Sequence, residues 1–132
     1  MTDGDGGGSD NSGGSEHPIE GQVLLLTAAK ASVGPGALPD LLTRVQADLG
    51  PRIEEYRRRY ELASEDDGRA TFFVEPDHWD AVGDRLGFGR RETDAVRRAH
   101  EEQLRRVGSR TDRRDEFETA LELRAAAVVG LD

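Results

Sequence analysis

Arginine dominates the chemistry this chain can offer. In the run Gly-Arg-Arg-Glu-Thr-Asp-Ala-Val-Arg-Arg, residues 89–98, the side chains of Arg90, Arg91 and Arg98 would leave one helix with Asp94 between them. A guanidinium is a planar fork of donors that matches a phosphate or the edge of a guanine, so such a face can grip duplex DNA. Other chemistries find less. His17, His78 and His100 share no HExxH-like spacing, and the chain has no cysteine, which excludes thiolate metal sites and disulfides. Asp115, Glu116, Glu118 and Glu122 are close enough for acid–base work, but at that density in an acidic chain carboxylates read as surface charge. Gly87-Phe88-Gly89 lacks the third glycine of a dinucleotide loop, and Gly34-Pro35-Gly36 lacks a phosphate-loop lysine. Lys30 reads as a solvated amine. No catalytic residue, metal ligand or cofactor is expected.

Those arginines need two helices to position them, and Trp79–Arg98 carries the pattern. Val82 and Leu86 supply the inner face of a first helix, and Gly87 its turn. Gly83 is small enough to let a second helix approach, Phe88 plugs the corner, and Val96 anchors the second helix inward. The segment resembles a helix-turn-helix, with Thr93 standing where Ile or Val is usual. By that resemblance Gly89, Arg90, Arg91, Asp94 and Arg98 face a major groove. Any two helices joined by Leu-Gly-apolar give the same pattern, including those of protein-binding bundles. The alternative is therefore a protein partner, or a second copy of the chain, on the same face.

Charge is unevenly spread. The chain of 132 residues carries a formal −9, of which residues 1–20 hold −5 with no Lys or Arg. Arg85–Arg114 reverses the sign, with ten arginines against five acids. Residues 1–18 contain Gly, Ser, Asp and Asn and no large apolar side chain beyond Met1, so a disordered acidic tail is expected there and a single domain over 19–132. The apolar run Val23–Ala29 is too short to cross a bilayer, and no membrane partner is expected.

The elements follow from periodicity and punctuation. Ile19, Val23, Leu26 and Val33 predict a helix, although Val23–Leu26 also suits a buried strand. After Gly34-Pro35-Gly36 a second helix should start near Pro39 and keep its apolar phase through Gly50-Pro51. One bent helix, or two abutting ones, are predicted there. Residues 60–75 read as a β-hairpin with Leu62 opposite Phe72, Tyr60 opposite Val74, and a three-residue loop with Gly68 left-handed. Asp77 can cap the next helix, which stops at Gly87; another runs from about Arg90 to Val107 and is closed by Gly108. A last helix should begin near Thr111 or Asp112 and align Phe117, Leu121, Ala125 and Val128. The expected fold is α+β, mainly helical, with about five helices and one β-hairpin between the second and third.

One resemblance reaches further. The segment Ala99–Arg124, AHEEQLRRVGSRTDRRDEFETALELR, resembles the C-terminal part of short haloarchaeal proteins of unknown function. One lysine against seventeen arginines, plentiful acids and few aromatics match the bias of salt-loving archaea. At about 1 M salt the Debye length is only ~3 Å, so an acidic chain is not barred from nucleic acid. The resemblance implies a cytoplasmic setting and brings no activity or ligand with it. The sequence thus points to a small DNA-binding regulator with duplex DNA as partner; the alternative is a non-catalytic helical interaction or assembly module that binds a protein or itself.

Overall fold

The structure is a computed structural model that describes residues 18–31, 33–34 and 36–131. The tail expected over residues 1–18 lies almost wholly outside the described residues. Helix α1 spans Gly21–Lys30, α2 Ala37–Leu49 and α3 Ile53–Arg59, with a 3-10 turn at Gly50–Arg52 between the last two. The predicted bend is therefore present, where Pro51 lacks the donor that a continuous helix would need. Strands β1 (Glu61–Glu65) and β2 (Arg69–Val74) follow, then α4 (His78–Leu86), α5 (Arg90–Thr111), α6 (Arg114–Leu121) and β3 (Ala125–Gly130).

The fold expectation fails at its last element. Ala125 and Val128 do not continue a helix: they lie in β3, which pairs antiparallel with β2 and completes a three-stranded sheet of order β1-β2-β3. The single hairpin is thus two thirds of a sheet. Ala125 to Val129 are all buried, apolar at every position instead of on one face, which suits a strand covered on both sides. Pairing with the open edge of β2 outweighs the helix propensity of three alanines. Helix α6 ends at Leu121, and the Arg124 amide closes on Ala120 O at 2.9 Å.

Both faces of the sheet are packed. Ala70, Phe72 and Val74 join Leu38, Leu42 and Trp79 in the larger core, while Ala63, Phe73 and Ala126 meet Leu104, Val107 and Phe117 in a smaller one. Leu62 does lie opposite Phe72, but a bulge between Leu62 and Ser64 shifts the register beyond it. Leu62 is left exposed and Ala63 takes the buried place. Gly68 is not left-handed. Instead Asp66 Oδ1 accepts from the Gly68 and Arg69 amides at 2.8 and 2.9 Å and closes the loop from its side chain.

Helix α5 also departs from expectation. It runs through Gly108 and stops at Asp112, whose φ of 60° makes the turn. Gly108 serves a crossing instead: a methyl there would stand 2.8 Å from Phe117 Cδ2 and 3.0 Å from Arg114 Cα. Helix α1 is shorter than Ile19–Val33 and docks along α5 through Val23 and Thr27. Glu20 anchors its start. Its amide donates to Gln103 Oε1 at 2.9 Å, and its carboxylate takes Arg110 Nη1 at 2.6 Å and Arg106 Nε at 3.2 Å.

The free edges of the sheet are occupied by side chains. On β3, Ala126 O accepts the Trp79 indole N–H at 3.0 Å, and the Val128 amide donates to His100 Nδ1 at 2.9 Å. Gln46 spans the next residues: its Nε2 donates to Val128 O and its Oε1 accepts from Gly130 N, both at 2.8 Å. On β1, Arg113 Nη1 donates to Ala63 O at 2.9 Å, inside the bulge.

Candidate functional site

Two helices meet at the corner that the arginine run predicts. Helix α4 stops on Gly87, left-handed at φ 76°, where a side chain would be strained. The Phe88 amide donates back to Gly83 O at 2.8 Å. Arg44 of α2 closes the same end, donating from Nη2 to Leu86 O at 2.7 Å with its guanidinium 4.8 Å over the Phe88 ring. Gly83 makes the close approach expected of it: a methyl there would overlap Thr93 Oγ1 and lie 3.1 Å from Thr93 Cγ2. Thr93, the departure from pattern, thus packs on the glycine, and Val96 is buried beyond it. Asp77 precedes α4 without a side-chain cap bond.

The predicted site residues divide into two groups. Gly89, Arg90 and Arg91 are exposed together where α5 begins. The Gly89 amide donates to Glu92 Oε1 at 2.8 Å, and neither arginine makes an ion pair or hydrogen bond among the described residues. Asp94 and Arg98 instead serve each other, with Arg98 Nε on Asp94 Oδ2 at 2.7 Å. Arg97 also bonds Asp94, and reaches Glu101 at 3.0 Å. Burial, the largest influence on Asp94, works against its charge, yet the bonds from Arg97 and Arg98 together hold its carboxyl below the ordinary range. Asp80, Asp84 and Asp94 share a recess with Arg90 and Arg97. This face carries mixed charge.

A buried polar cluster lies behind it. Tyr56 OH and His78 Nε2 are 2.6 Å apart, the His78 and Trp79 rings 4.6 Å, and the Trp79 and His100 rings 4.4 Å. Burial pushes the His78 imidazole down to about 4 and raises the Tyr56 phenol. His100 is fully buried, and its Nδ1 accepts from the Val128 amide of β3. In the sequence His78 carries no metal-site spacing, and its pairing with Tyr56 is a long-range contact. The available signal was Tyr56, a core position whose hydroxyl must find a partner.

A further surface lies on α1. On α1, Gln22, Leu25, Leu26 and Ala29 are all exposed, Leu25 at 72% and Leu26 at 49%. These positions follow i, i+3, i+4, i+7, the spacing of one helix face. Lys30 ends the helix, exposed and without an ion pair among the described residues. The signal is in the run Val23–Ala29, which is apolar at every position but Thr27 although one side suffices for docking. Among the described residues no helix is long and apolar enough to cross a membrane.

The arginine corner, the ring cluster and the α1 face all fall within one match: the model of a family described as Domain of unknown function (DUF8048) fits residues 17–131. The chain belongs to that family. Every element of the DUF8048 match, from α1 to β3, is among those described above. No curated protein and no solved structure matches the chain.

Proposed function

We propose that this protein is a non-catalytic interaction module that binds another protein surface through the outward face of α1. The observation that carries the reading is the exposure of Leu25 and Leu26, adjacent residues in the middle of a helix already docked by its opposite side. Two adjacent large apolar side chains left in water on a helix that is already docked mark a contact. The arginine corner supports DNA less well, because Asp94 occupies Arg97 and Arg98 and two further aspartates share the recess. One observation still favours that second reading: Arg90 and Arg91 are exposed and unpaired at the start of α5. The bias toward arginine and acids supports the haloarchaeal setting, and stability that rises from about 0.1 M to about 2 M KCl is its test.

Two double variants separate the readings. Leu25→Asp/Leu26→Asp should abolish association measured by light scattering and leave the circular dichroism spectrum intact, since both side chains are exposed. Arg90→Ala/Arg91→Ala should leave association unchanged. Saturable duplex-DNA binding by the wild type, lost in the arginine variant alone, would replace the interaction reading with the regulator.

A further inference from the structure

The corner between α4 and α5 holds charges that the fold itself does not use. Asp80, Asp84, Phe88, Arg90 and Thr93 line a recess of about 520 Å³, together with Asp94 and Arg97. Asp94 and Arg97 satisfy each other, and Arg97 reaches Glu101 as well. Asp80, Asp84 and Arg90 make no ion pair and no side-chain hydrogen bond among the described residues. Elsewhere in the chain most arginines hold a carboxylate.

Two of these charges also stand against the helices that carry them. Asp84 lies in the last turn of α4, where the helix dipole disfavours a carboxylate. It follows Asp80 by four residues, which sets like charges on one face. Arg90 opens α5, where the dipole disfavours a cation. Asp84 and Arg90 thus share one recess, each unfavourable to its own helix, without bonding one another. Local rules broken without compensation inside the fold mark positions kept for a ligand.

The pattern narrows the class of ligand. A bare anion such as phosphate meets Asp80 and Asp84, and a bare cation meets Arg90. Among the described residues no group of carboxylates and imidazoles is arranged to hold a metal ion. A molecule carrying both charges satisfies both sides. Its ammonium faces the aspartates, and its carboxylate faces a guanidinium fork that matches two oxygens. Thr93 adds a hydroxyl that makes no hydrogen bond among the described residues, and Phe88 adds a half-buried ring with Arg44 over one face. The volume falls within the roughly 300–1,000 Å³ of small-molecule sites. We propose that the α4–α5 corner binds a small zwitterion, an α-amino acid with an apolar side chain, through Asp80 and Asp84 on one side and Arg90 on the other. No residue of α1 lines the recess, so the site stands independently of the interaction reading.

Titration of the full chain with L-leucine and L-phenylalanine, followed at the Phe88 and Thr93 amides by NMR, should saturate in roughly the micromolar-to-millimolar range. The N-acetyl derivatives, which lack the cation, and the amides, which lack the anion, should bind at least about tenfold more weakly. Asp80→Asn/Asp84→Asn and Arg90→Gln should each cause a similar loss, whereas Arg91→Gln, outside the recess, should not. A second readout needs no ligand. Asp84→Asn and Arg90→Gln should each raise the melting temperature of the free protein by about 1–5 °C in dilute salt, because each relieves its helix. A fall in both would show that the two charges stabilise one another, and the proposal would lose its ground. No saturable binding of either amino acid, or equal binding of the free and blocked forms, would overturn it.

Discussion

Acid should loosen this fold through one imidazole. His78 is 5% exposed at the first position of α4, where the helix dipole also disfavours a cation. Burial is the main cause that lowers its pKa to about 4 from 6.5; Glu75 and Asp48 pull upward, Arg85 and Arg59 downward. Between those values the unfolded chain binds the extra proton and the folded chain does not. Stability is therefore fully present above about 6.5, falls as pH falls, and levels off below about 4. The whole gap corresponds to roughly 3 kcal/mol, of which about 2.5 is lost by pH ~4.5. The assay is urea unfolding of the wild type and His78→Gln at several pH values from about 7.5 to about 4.5. Glutamine can still bond the Tyr56 hydroxyl but does not titrate. The variant should be less stable at neutral pH, with its deficit shrinking by about 2.5 kcal/mol at the acid end. Other titrating groups cancel in the difference between the two proteins. Parallel curves would show that His78 titrates alike in both states, and the reasoning from burial would be refuted.

Further perturbations test the packing. The Arg110 bond chiefly holds the Glu20 carboxyl down at about 2, against an ordinary 4.5, so its stabilisation is present above about 4.5 and lost as pH falls toward about 2. Glu20→Gln should abolish that acid-dependent loss, of roughly 1–2 kcal/mol after allowance for solvent screening, in thermal melts over that window. Gly83→Ala should cost about 1–3 kcal/mol by overlap with Thr93, and Thr93→Ala should return part of it; additive losses in the double-mutant cycle would contradict the contact. Gln46→Leu should cost about 2 kcal/mol and speed amide exchange at Gly130, whose donor loses its acceptor; an unchanged exchange rate would count against the capped edge.

Much of the local structure was legible because it rests on neighbours in sequence. Gly87 as a left-handed stop, the bend at Pro51 and the approach of Thr93 to Gly83 each follow from one residue's sterics. Ala125–Gly130 was not legible in that way. Its strand character depends on β2, some fifty residues earlier, and alanine at three positions argues locally for helix. The bulge near Ala63 had the same effect at smaller scale, exchanging which of Leu62 and Ala63 is buried. At the candidate site, the sequence gives the position of Arg98 but not that Asp94 binds it, since outward residues four apart can equally face a ligand or each other. The α1 surface is hidden differently: the spacing groups Leu26 with Ile19 and Val23, yet only the latter two are buried, because periodicity identifies a helix without saying which face meets another.

Trp79, His100 and Gln46, from three separate helices, occupy the outer rim of β3, and Arg113 with a bulge interrupts that of β1. Unpaired strand rims are where folded chains recruit one another into swapped dimers and fibrils. Here an incoming strand would first have to displace two buried rings and the half-buried Gln46 from their bonds on one side and a guanidinium on the other. The rim of β3 thus offers few free donors or acceptors to a second strand, despite its small, apolar residues.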